Sequence, residues 1–336
     1  MRAVSILLAA LALAAPATAA PGLIVGVDDD TAKWIGRSSA AFAVYRDLGL
    51  RAVRVTLDWQ PGQLQPTRVQ ATELARAASG AGGIRVVLAV TGPADAPPLD
   101  DVARADYCSY IAGVLLRYPQ FGDVVIWTEP NSARFWKPVS PEAYATLLAR
   151  CTPQLHAVRA GVNVIGASAA RGSMRPATFW RRVGRAGGLL DTIGHNPYPA
   201  DSSEPPDAVH RDGRIGEGDY ASLVAALQKG FGRTPPIWYL EDGFQTAAGD
   251  RAALYRGVET ERRPAADQGA QLAAAIRLAY CQPLVQAFFN FELVDEHDLH
   301  GWQSGVLYAD GTPKPSYTAL QEVVAQVNGG ELACPR

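Results

Sequence analysis

Two glutamates occupy the same kind of local context at distant points of the chain. Glu129 follows the apolar run 124–127 in VVIWTEPN, and Glu241 ends the apolar stretch IWYLE in PPIWYLEDGFQT. Each acid alone is compatible with a structural role at the end of a strand. Two carboxylates that face one another can cleave a glycosidic bond, because one protonates the leaving oxygen while the other attacks the anomeric carbon or activates water. The pair is therefore a candidate catalytic site.

Such a pair needs a scaffold, and the chain alternates short Val- and Ile-rich runs with segments of helical periodicity. Strands are predicted at 23–27, 52–57, 84–90, 124–129, 162–168, 190–196, 237–241 and 287–293. Helices are predicted at 38–49, 69–79, 102–117, 140–158, 176–186, 219–229, 266–281 and 315–327. Alternation with continuously apolar strands predicts a parallel sheet covered by helices, and eight repeats predict a single-domain (β/α)₈ TIM barrel. The active site of such a barrel lies at the C-terminal strand ends, where both glutamates fall.

Composition and motifs limit the other classes of protein. The 336 residues are 48% hydrophobic and 19% charged, with a formal net charge of -2 and no run of like charge. This balance argues against a surface for nucleic acid or anionic lipid, since both require clustered Lys and Arg. The sequence has no G-x-G-x-x-G after the first strand, which disfavours a doubly wound sheet. It also lacks the G-x-S-x-G elbow and the P-loop, so serine hydrolase and nucleotide hydrolase functions have no motif to rest on.

The first twenty residues have the pattern of a secretory signal peptide: an early Arg, a short apolar stretch, and small residues ending in Ala-Thr-Ala at 17–19. We expect cleavage before residue 21, a catalytic domain at 21–336, and a secreted, periplasmic or extracellular location. After cleavage no membrane association is expected. The alternative is an uncleaved membrane anchor.

Export makes the four cysteines candidates for disulfide bonds, because thiols oxidise outside the cytoplasm. Three pairings are possible. Proximity along the chain favours Cys108 with Cys151, on consecutive predicted helices, and Cys281 with Cys334, on a helix and the nearby C-terminal tail. Metal ligation by these cysteines is disfavoured because no C-x-x-C spacing occurs.

Four segments carry a resemblance to a known group of enzymes. VVIWTEPN, TIGHNPYP, WYLEDGFQT and SGVLYADGTPKPSY resemble the fourth-, sixth- and seventh-strand motifs and the final segment of the clan A retaining glycoside hydrolases, with features of the family 5 cellulase-like and family 39 xylosidase-like members. The resemblance extends over 54–317. It implies a retaining glycosidase without a cofactor or metal, in which Glu129 is the acid/base and Glu241 is the nucleophile that forms a covalent glycosyl intermediate.

The resemblance also implies supporting residues. Arg54 matches the second-strand Arg that supports the nucleophile, and its place between two valines argues against a surface charge. Tyr198 matches the sixth-strand Tyr whose hydroxyl bonds the nucleophile. Counting back from Tyr198, the usual His position falls on Asn196. His195 is therefore either a displaced site residue or a packed core residue.

One departure from the clan pattern concerns the substrate. The clan has Asn before the acid/base, where its amide holds the sugar 2-hydroxyl, whereas this chain has Thr128. The shorter side chain with one hydroxyl can make at most a different contact. We therefore expect a sugar with an unusual configuration or conformation at C2. Thr128 and the shifted His also motivate an alternative from another class, a catalytically silent carbohydrate-binding barrel, and a transglycosylase would use the same intermediate.

Further residues could contact a carbohydrate. Trp127, Trp136 and Trp302 offer faces for sugar stacking or for supporting the site, and Asp58 and Asn131 could bond sugar hydroxyls. Packing is the alternative role for the tryptophans, and loop capping is the alternative for the two polar residues.

Two long polar segments remain. Segment 200–219 would overhang the site as a lid or subsite wall, or form a plain mobile loop. Segment 292–303 contains six Asp, Glu and His side chains that could bind a metal, but its spacing matches no zinc signature and favours a solvated loop. The expected partner is a carbohydrate, and the sequence leaves the sugar, the linkage and the oligomeric state open.

Overall fold

Eight parallel strands form a closed barrel in the computed structural model, which describes residues 22–335. The strands are β1 (Ile24–Asp28), β2 (Ala52–Asp58), β3 (Arg85–Thr91), β4 (Asp123–Ile126), β5 (Asn163–Gly166), β6 (Thr192–His195), β7 (Ile237–Asp242) and β8 (Val285–Phe291). Each strand pairs with the next along the chain, and β8 pairs with β1. The predicted (β/α)₈ fold is confirmed.

A helix follows each strand and returns the chain along the outside of the barrel. The helices are α1 (Ser38–Asp47), α2 (Arg68–Gly80), α3 (Asp101–Arg117), α4 (Pro141–Val158), α5 (Pro176–Val183), α6 (Tyr220–Phe231), α7 (Gln268–Tyr280) and α8 (Pro315–Gly329). Local chemistry sets several starts: Ser140 caps α4 by accepting from the Ala143 N–H, and Pro141 occupies the first turn. All eight predicted helices are present, with ends that differ by a few residues.

The barrel interior is closed by packed side chains. A cluster from six strands fills it, made up of Ala52, Val87, Ala89, Val125, Ile165, Trp238, Leu240, Ala287 and Phe289. Small and large residues interlock there: a Cβ on Gly26 would lie 2.7 Å from both the Ala52 carbonyl oxygen and the Phe289 ring. A ligand therefore has access to the mouth of the barrel and not to its centre.

The opposite end of the barrel carries a polar network on the first residues of four neighbouring strands. Arg85 Nε donates to Asp123 Oδ2 at 3.0 Å, and Asn163 Nδ2 donates to Asp123 Oδ1 at 2.9 Å. Thr192 Oγ1 in turn donates to Asn163 Oδ1 at 2.8 Å. Side chains thus connect β3 to β6 at the end of the barrel that is remote from the mouth.

Two disulfide bonds join outer elements. Cys108 in α3 is bonded to Cys151 in α4, and Cys281, directly after α7, is bonded to Cys334 in the C-terminal tail. These are the pairings that the sequence favours. Disulfides persist in oxidising compartments, so both bonds are compatible with an exported protein. The predicted signal peptide itself lies outside the described residues. Within 22–335, no helix has the length and hydrophobicity needed to cross a membrane.

Candidate active site

A cavity of about 440 Å³ opens at the C-terminal ends of the strands. Both glutamates line it, and each side chain is largely buried, at 8% exposure. Strands or following loops on every side of the barrel contribute to the walls. Polar wall residues include Asp28, Arg54, Thr56, Thr91, Thr128, Ser132, Arg134, Arg171 and Glu296, and aromatic ones are Phe135, Tyr198, Phe291 and Trp302.

Glu129 lies beyond the end of its strand rather than on it. Strand β4 ends at Ile126, and the backbone is left-handed at Trp127 (φ 63°) and at Glu129 (φ 39°). The prediction that Glu129 closes the strand is therefore wrong by three residues, because these positive φ angles turn the chain out of the sheet. The Glu129 N–H donates to Ser168 Oγ at 3.1 Å, which ties the acid to the loop after β5. Such conformations cost a non-glycine residue about 1–2 kcal/mol, which the surrounding packing must offset.

The surroundings of Glu129 favour its neutral form. Burial raises the pKa of this carboxyl to about 7, and the negative charge of Glu241 acts in the same direction. The bond from Asn196 Nδ2 to Glu129 Oε1, at 2.8 Å, and the charges of Arg54 and Arg134 lower the pKa, but only in part. Glu129 therefore retains its proton up to about neutral pH and has one to donate.

Two donors hold the Glu241 carboxyl. Arg54 Nη1 lies 2.8 Å from Glu241 Oε1, and the Tyr198 hydroxyl donates to Glu241 Oε2 at 3.2 Å. Burial lowers the pKa of Arg54, but the charges of Asp28 and Glu241 outweigh it and raise that pKa overall. Burial and the charge of Glu241 raise the pKa of Tyr198, so the phenol remains a donor. A guanidinium and a phenol on one carboxyl group form charge-assisted hydrogen bonds that orient it.

Arg54 is itself held in place by two further groups. Its Nη1 is bonded to Asp28 at the end of β1, and its Nη2 donates to Thr128 Oγ1 at 3.2 Å. The guanidinium is 3% exposed, so its position is determined by these partners rather than by water. Thr128, at which the sequence departs from the clan pattern, thus lines the cavity and contacts Arg54, the residue that binds Glu241.

Aromatic side chains cover one side of the cavity. The ring centroids of Tyr198 and Trp302 are 5.0 Å apart, and those of Phe291 and Trp302 are 5.3 Å apart. Trp302 lines the cavity and is half-buried. Its position is compatible with the predicted contact to a sugar ring, because an aromatic face offers a stacking surface.

The other two tryptophans are not available to a ligand. Trp127 and Trp136 are fully buried, with ring centroids 5.2 Å apart, in an aromatic series that continues to Tyr144. Trp127 Nε1 donates to the Phe135 carbonyl at 2.8 Å, so the segment after β4 folds back and covers Trp127. Of the two roles that the sequence leaves open for Trp136, packing is therefore correct and sugar contact is wrong, and Trp127 has the packing role expected by default. Their packing supports the segment that carries Thr128 and Glu129.

The two polar residues that were expected to bond sugar hydroxyls do not line the catalytic cavity. Asp58 ends β2 but is exposed and does not line the catalytic cavity. Asn131 is fully buried, and its Nδ2 donates to the carbonyls of Ala170 at 2.9 Å and Met174 at 2.8 Å. Asn131 therefore holds the loop after β5 in place. This is a structural role in a loop, as the capping alternative expected, rather than a sugar contact.

His195 is a packed core residue. Its Nδ1 lies 2.7 Å from the Ala169 carbonyl and its Nε2 lies 2.9 Å from the Ile215 carbonyl, with no exposure to the cavity. Burial lowers the pKa of His195 to about 4, so the imidazole is neutral. The alternative of a displaced site residue is wrong. The neighbour of Glu129 is Asn196, the next residue, which is the position where the count back from Tyr198 places the usual His of the clan.

Several cavity residues escaped the sequence reasoning. Asp28 had a usable signal, since it closes the apolar run LIVGV as Glu241 closes IWYLE. Arg134 and Arg171 had none, because they lie on irregular loops and only the fold brings them to the mouth, whereas Glu296 belongs to segment 292–303 but was not expected at the catalytic cavity.

The segments 200–219 and 292–303 are both ordered by internal bonds. His210 Nδ1 lies 2.6 Å from Asp219 Oδ2, and Arg214 and Ile215 line a second cavity beside the catalytic one, so the first segment is a wall of the site region. In the second segment, the Glu296 N–H donates to the Trp302 carbonyl at 2.9 Å, and Lys314 Nζ from outside the segment donates to Asp295 Oδ1 at 2.7 Å. Across the described part of the chain, no group of three or more His, Cys, Asp or Glu side chains is arranged to hold a metal ion.

Comparison with known proteins identifies the fold and no sequence family. No family model and no curated protein matches the chain. Among solved structures, a glucosidase from Croceicoccus marinus is similar at 17% identity over 93% of this chain and 69% of that one, with a TM-score of 0.68. The GH39 enzyme from Xanthomonas axonopodis pv. citri is similar at 18% identity over 93% and 70%, with a TM-score of 0.59.

A third similar structure is a GH2 beta-galacturonidase from Eisenbergiella tayi, at 12% identity and a TM-score of 0.59. The alignment covers 87% of this chain and 48% of that one, so the present chain spans about half the length of this enzyme. All three are glycoside hydrolases. The chain therefore has a barrel fold that glycoside hydrolases use.

Proposed function

We propose that the protein hydrolyses O-glycosidic bonds of an oligo- or polysaccharide with retention of anomeric configuration, with Glu129 as acid/base and Glu241 as nucleophile. The observation that carries this proposal is the opposite electrostatic surroundings of two carboxylates in one cavity. The pKa of Glu129 is raised to about 7, whereas Glu241 is bound by Arg54 and by the Tyr198 hydroxyl. Pairs of acids whose environments differ in this way can divide the roles of acid and nucleophile.

In the first step, a carboxylate oxygen of Glu241 attacks the anomeric carbon and forms an ester. The bond to the leaving oxygen breaks, and that oxygen takes the proton of Glu129. Glu241 loses its negative charge in the ester, but Arg54 keeps a carboxylate partner because Asp28 remains bonded to it. Asp28 therefore holds the guanidinium in place through both states of Glu241.

In the second step, the roles of Glu129 reverse. The glutamate, now a carboxylate, takes a proton from a water molecule whose oxygen attacks the anomeric carbon, and Glu241 is released as the anion. Two displacements restore the original configuration, and Glu129 regains its proton. A sugar hydroxyl in place of the water would give transglycosylation from the same intermediate. No cofactor enters either step.

The walls of the cavity support a carbohydrate as the substrate. Trp302 and Phe291 present aromatic faces, and Thr128 presents a polar side chain close to the two acids. Sugars combine apolar ring faces with hydroxyl edges, so such walls suit them. Export and action outside the cytoplasm remain part of the proposal, with the two disulfides as support.

The experiment is a panel of aryl glycosides and polysaccharides incubated with wild type, Glu129→Gln and Glu241→Gln. We expect wild type to cleave at least one substrate and each variant to lose about 10²-fold or more in kcat/KM. Glu322→Gln, an exposed acid in α8, is the matched control and should behave as wild type. NMR of the first product should give the original anomer, and mass spectrometry with a 2-deoxy-2-fluoro glycoside should find the label on Glu241.

Three outcomes would contradict the proposal. A wild type that binds glycans and cleaves none would favour the silent binding barrel. An inverted product would mean that water attacks directly, without an ester on Glu241. Full activity in Glu241→Gln would remove the nucleophile from the mechanism.

A further inference from the structure

A second cavity adjoins the catalytic one on the side of β5 and β6. It has a volume of about 210 Å³ and is lined by Arg171, Arg175 and Arg214, which we call the arginine cavity. Arg171 and Tyr198 line both cavities, so a ligand that extends from the catalytic pair on this side enters the arginine cavity directly.

Positive charge in the arginine cavity exceeds the negative charge. Arg214 Nε lies 2.8 Å from Asp212 Oδ2, but within residues 22–335 no carboxylate lies within 4.0 Å of the guanidinium nitrogens of Arg171 or Arg175. Like charges around a small cavity repel one another. An anion there would relieve this repulsion and accept several charge-assisted hydrogen bonds.

The backbone adds to the positive potential. Helix α5 begins at the cavity: Arg175 is its N-cap, no side chain caps the helix, and Pro176 lines the cavity wall. Pro176 has no N–H, and the N–H groups of Thr178 and Phe179 donate to the Arg175 carbonyl, so the contribution of this end is chiefly the helix dipole, which favours negative charge. The N-terminus and the arginines therefore act in the same direction.

The backbone that carries the arginines is held in place. Asn131 Nδ2 bonds the carbonyls of Ala170 and Met174, which bracket Arg171 in the chain. Gly213 has a φ of +88°, and a Cβ at that position would lie 2.9 Å from the Arg175 side chain, so this loop packs closely against Arg175. Arg171 and Arg175 are themselves exposed, so their guanidinium groups are accessible to a ligand.

The wall between the two cavities also carries an unused acceptor. Asn196 Oδ1 is buried and has no hydrogen-bond partner among the described residues, although the Nδ2 of the same amide bonds Glu129. An unsatisfied buried carbonyl oxygen costs free energy that a hydroxyl of a bound ligand would recover. A sugar that carries an anionic group would supply both the hydroxyl and the charge.

The opposite side of the catalytic pair is lined mainly by acids. A cavity of about 530 Å³ there is lined by seven acidic side chains against two arginines and one histidine. Asp28 and Asp295 among them are paired with Arg54 and Lys314, and burial raises the pKa of Asp29 and Glu292. An anionic group therefore finds fewer unpaired cations on that side than in the arginine cavity. The charge distribution across the mouth would therefore orient an acidic sugar chain.

We propose that the arginine cavity binds the anionic group of a sugar residue next to the cleaved bond, which makes the substrate class an acidic glycan. The anion is a carboxylate, as in a uronic acid, or a sulfate ester, since guanidinium groups bind both. This inference rests on the proposed function only in assigning the bound sugar to a substrate. The binding itself can be measured without any cleavage.

The test measures binding of single sugars to the full wild-type protein by calorimetry or NMR. The probes are glucuronate, galacturonate and glucose 6-sulfate, compared with glucose and galactose. We expect an anionic sugar to bind at least about tenfold more tightly than its neutral counterpart, and we expect salt to weaken this preference. The ranking of carboxylate against sulfate probes distinguishes the two sources of the anion.

Arg171→Gln/Arg175→Gln should abolish the preference. The matched control is Arg181→Gln/Arg185→Gln, which removes the same charge from exposed positions on α5 and just after it. Arg171→Lys/Arg175→Lys keeps the charge and should retain part of the preference, which separates charge from loss of folding. Equal binding of anionic and neutral sugars by wild type would overturn the inference even if the protein cleaves neutral glycosides. A preference that survives the Gln variant would also overturn it. Tight binding of an anionic sugar by a wild type that cleaves no substrate would support the anion-binding role of the arginine cavity and contradict the proposed function.

Discussion

Glu129 and Glu241 lie in one cavity but in different surroundings. Burial and the charge of Glu241 raise the pKa of Glu129, and the amide of Asn196 opposes this only in part, whereas Glu241 is bound by Arg54 and the Tyr198 hydroxyl. At the scale of single residues, the protonation state of Glu129 is thus the property that activity should report.

The rate of cleavage should fall as the pH rises through about 7. Burial raises the pKa of Glu129 to about 7, and the acid must hold its proton to protonate the leaving oxygen. Below this pH the group is protonated and active, and above it kcat/KM should drop about tenfold per pH unit. A pH profile with an aryl glycoside measures this. In Glu129→Gln, assayed with a leaving group that needs no protonation, the high-pH decrease should be absent, and its persistence would assign it to another residue.

Thr128→Asn should change the preference at sugar C2. Thr128 faces the cavity and accepts a hydrogen bond from Arg54, whereas the longer amide of Asn would present a donor to the sugar. We expect the ratio of kcat/KM between glycosides that differ only in the configuration at C2 to shift about tenfold or more, as one hydrogen bond allows. Thr128→Ser keeps the hydroxyl and should leave the ratio as in wild type. An unchanged ratio in Thr128→Asn would refute the C2 hypothesis.

At the scale of elements, the disulfides join outer elements that do not line the catalytic cavity. The bond between Cys108 and Cys151 links α3 to α4, on either side of β4, and both cysteines are fully buried. The residues that contact the two glutamates come from strand ends and the loops after them. Stability and activity should therefore respond differently to loss of this bond.

Cys108→Ser/Cys151→Ser should lower the free energy of unfolding by about 3–4 kcal/mol, because the bond closes a long loop in the unfolded chain. The two residues are separated by 43 positions. Urea denaturation measures the change, and kcat/KM below the transition should equal that of wild type. In a Cys281→Ser/Cys334→Ser variant the bond between Cys108 and Cys151 is the one that remains. Reducing it should cause the same loss in the free energy of unfolding without replacing Cys108 or Cys151. A loss below about 1 kcal/mol would contradict the prediction.

At the scale of the whole molecule, the two ends of the barrel have separate tasks. The mouth contains the candidate site, the opposite end contains the network of Arg85, Asp123, Asn163 and Thr192, and packed apolar side chains lie between them. In barrels of this class, residues at the lower end contribute to stability and residues at the mouth contribute to chemistry.

Asp123→Ala should therefore lower stability without changing catalysis. The substitution leaves Arg85 and Asn163 without their partner at a site where Asp123 is 3% exposed. We expect a loss of about 1–3 kcal/mol in the free energy of unfolding, typical of broken buried hydrogen bonds. Thermal or urea unfolding and kcat/KM of the same preparations test this, with Glu322→Gln as an exposed control. A fall in kcat/KM without a change in stability would contradict the separation of the two ends.

The architecture could be predicted from the sequence because its signals are local. Apolar runs of strand length that alternate with amphipathic helices predict a parallel sheet covered by helices. A Ser-Pro pair such as that before α4 indicates where a helix begins. The end of β4 could not be predicted in this way, since the left-handed backbone at Trp127 depends on packing against residues far along the chain.

By itself, the sequence determined the barrel and singled out the two glutamates, and its resemblance to known motifs pointed to Arg54 and Tyr198 as supporting residues. Only the tertiary structure decided which candidates reach the cavity: Trp136 and His195 are buried, whereas Asp28 and Arg171 are at the mouth. Strand periodicity is a property of adjacent residues, so it can be predicted from the sequence. Burial, pKa and the charge of a cavity depend on segments that meet across the barrel, such as the loops around Arg171 and Arg214, and therefore arise only when the chain is closed.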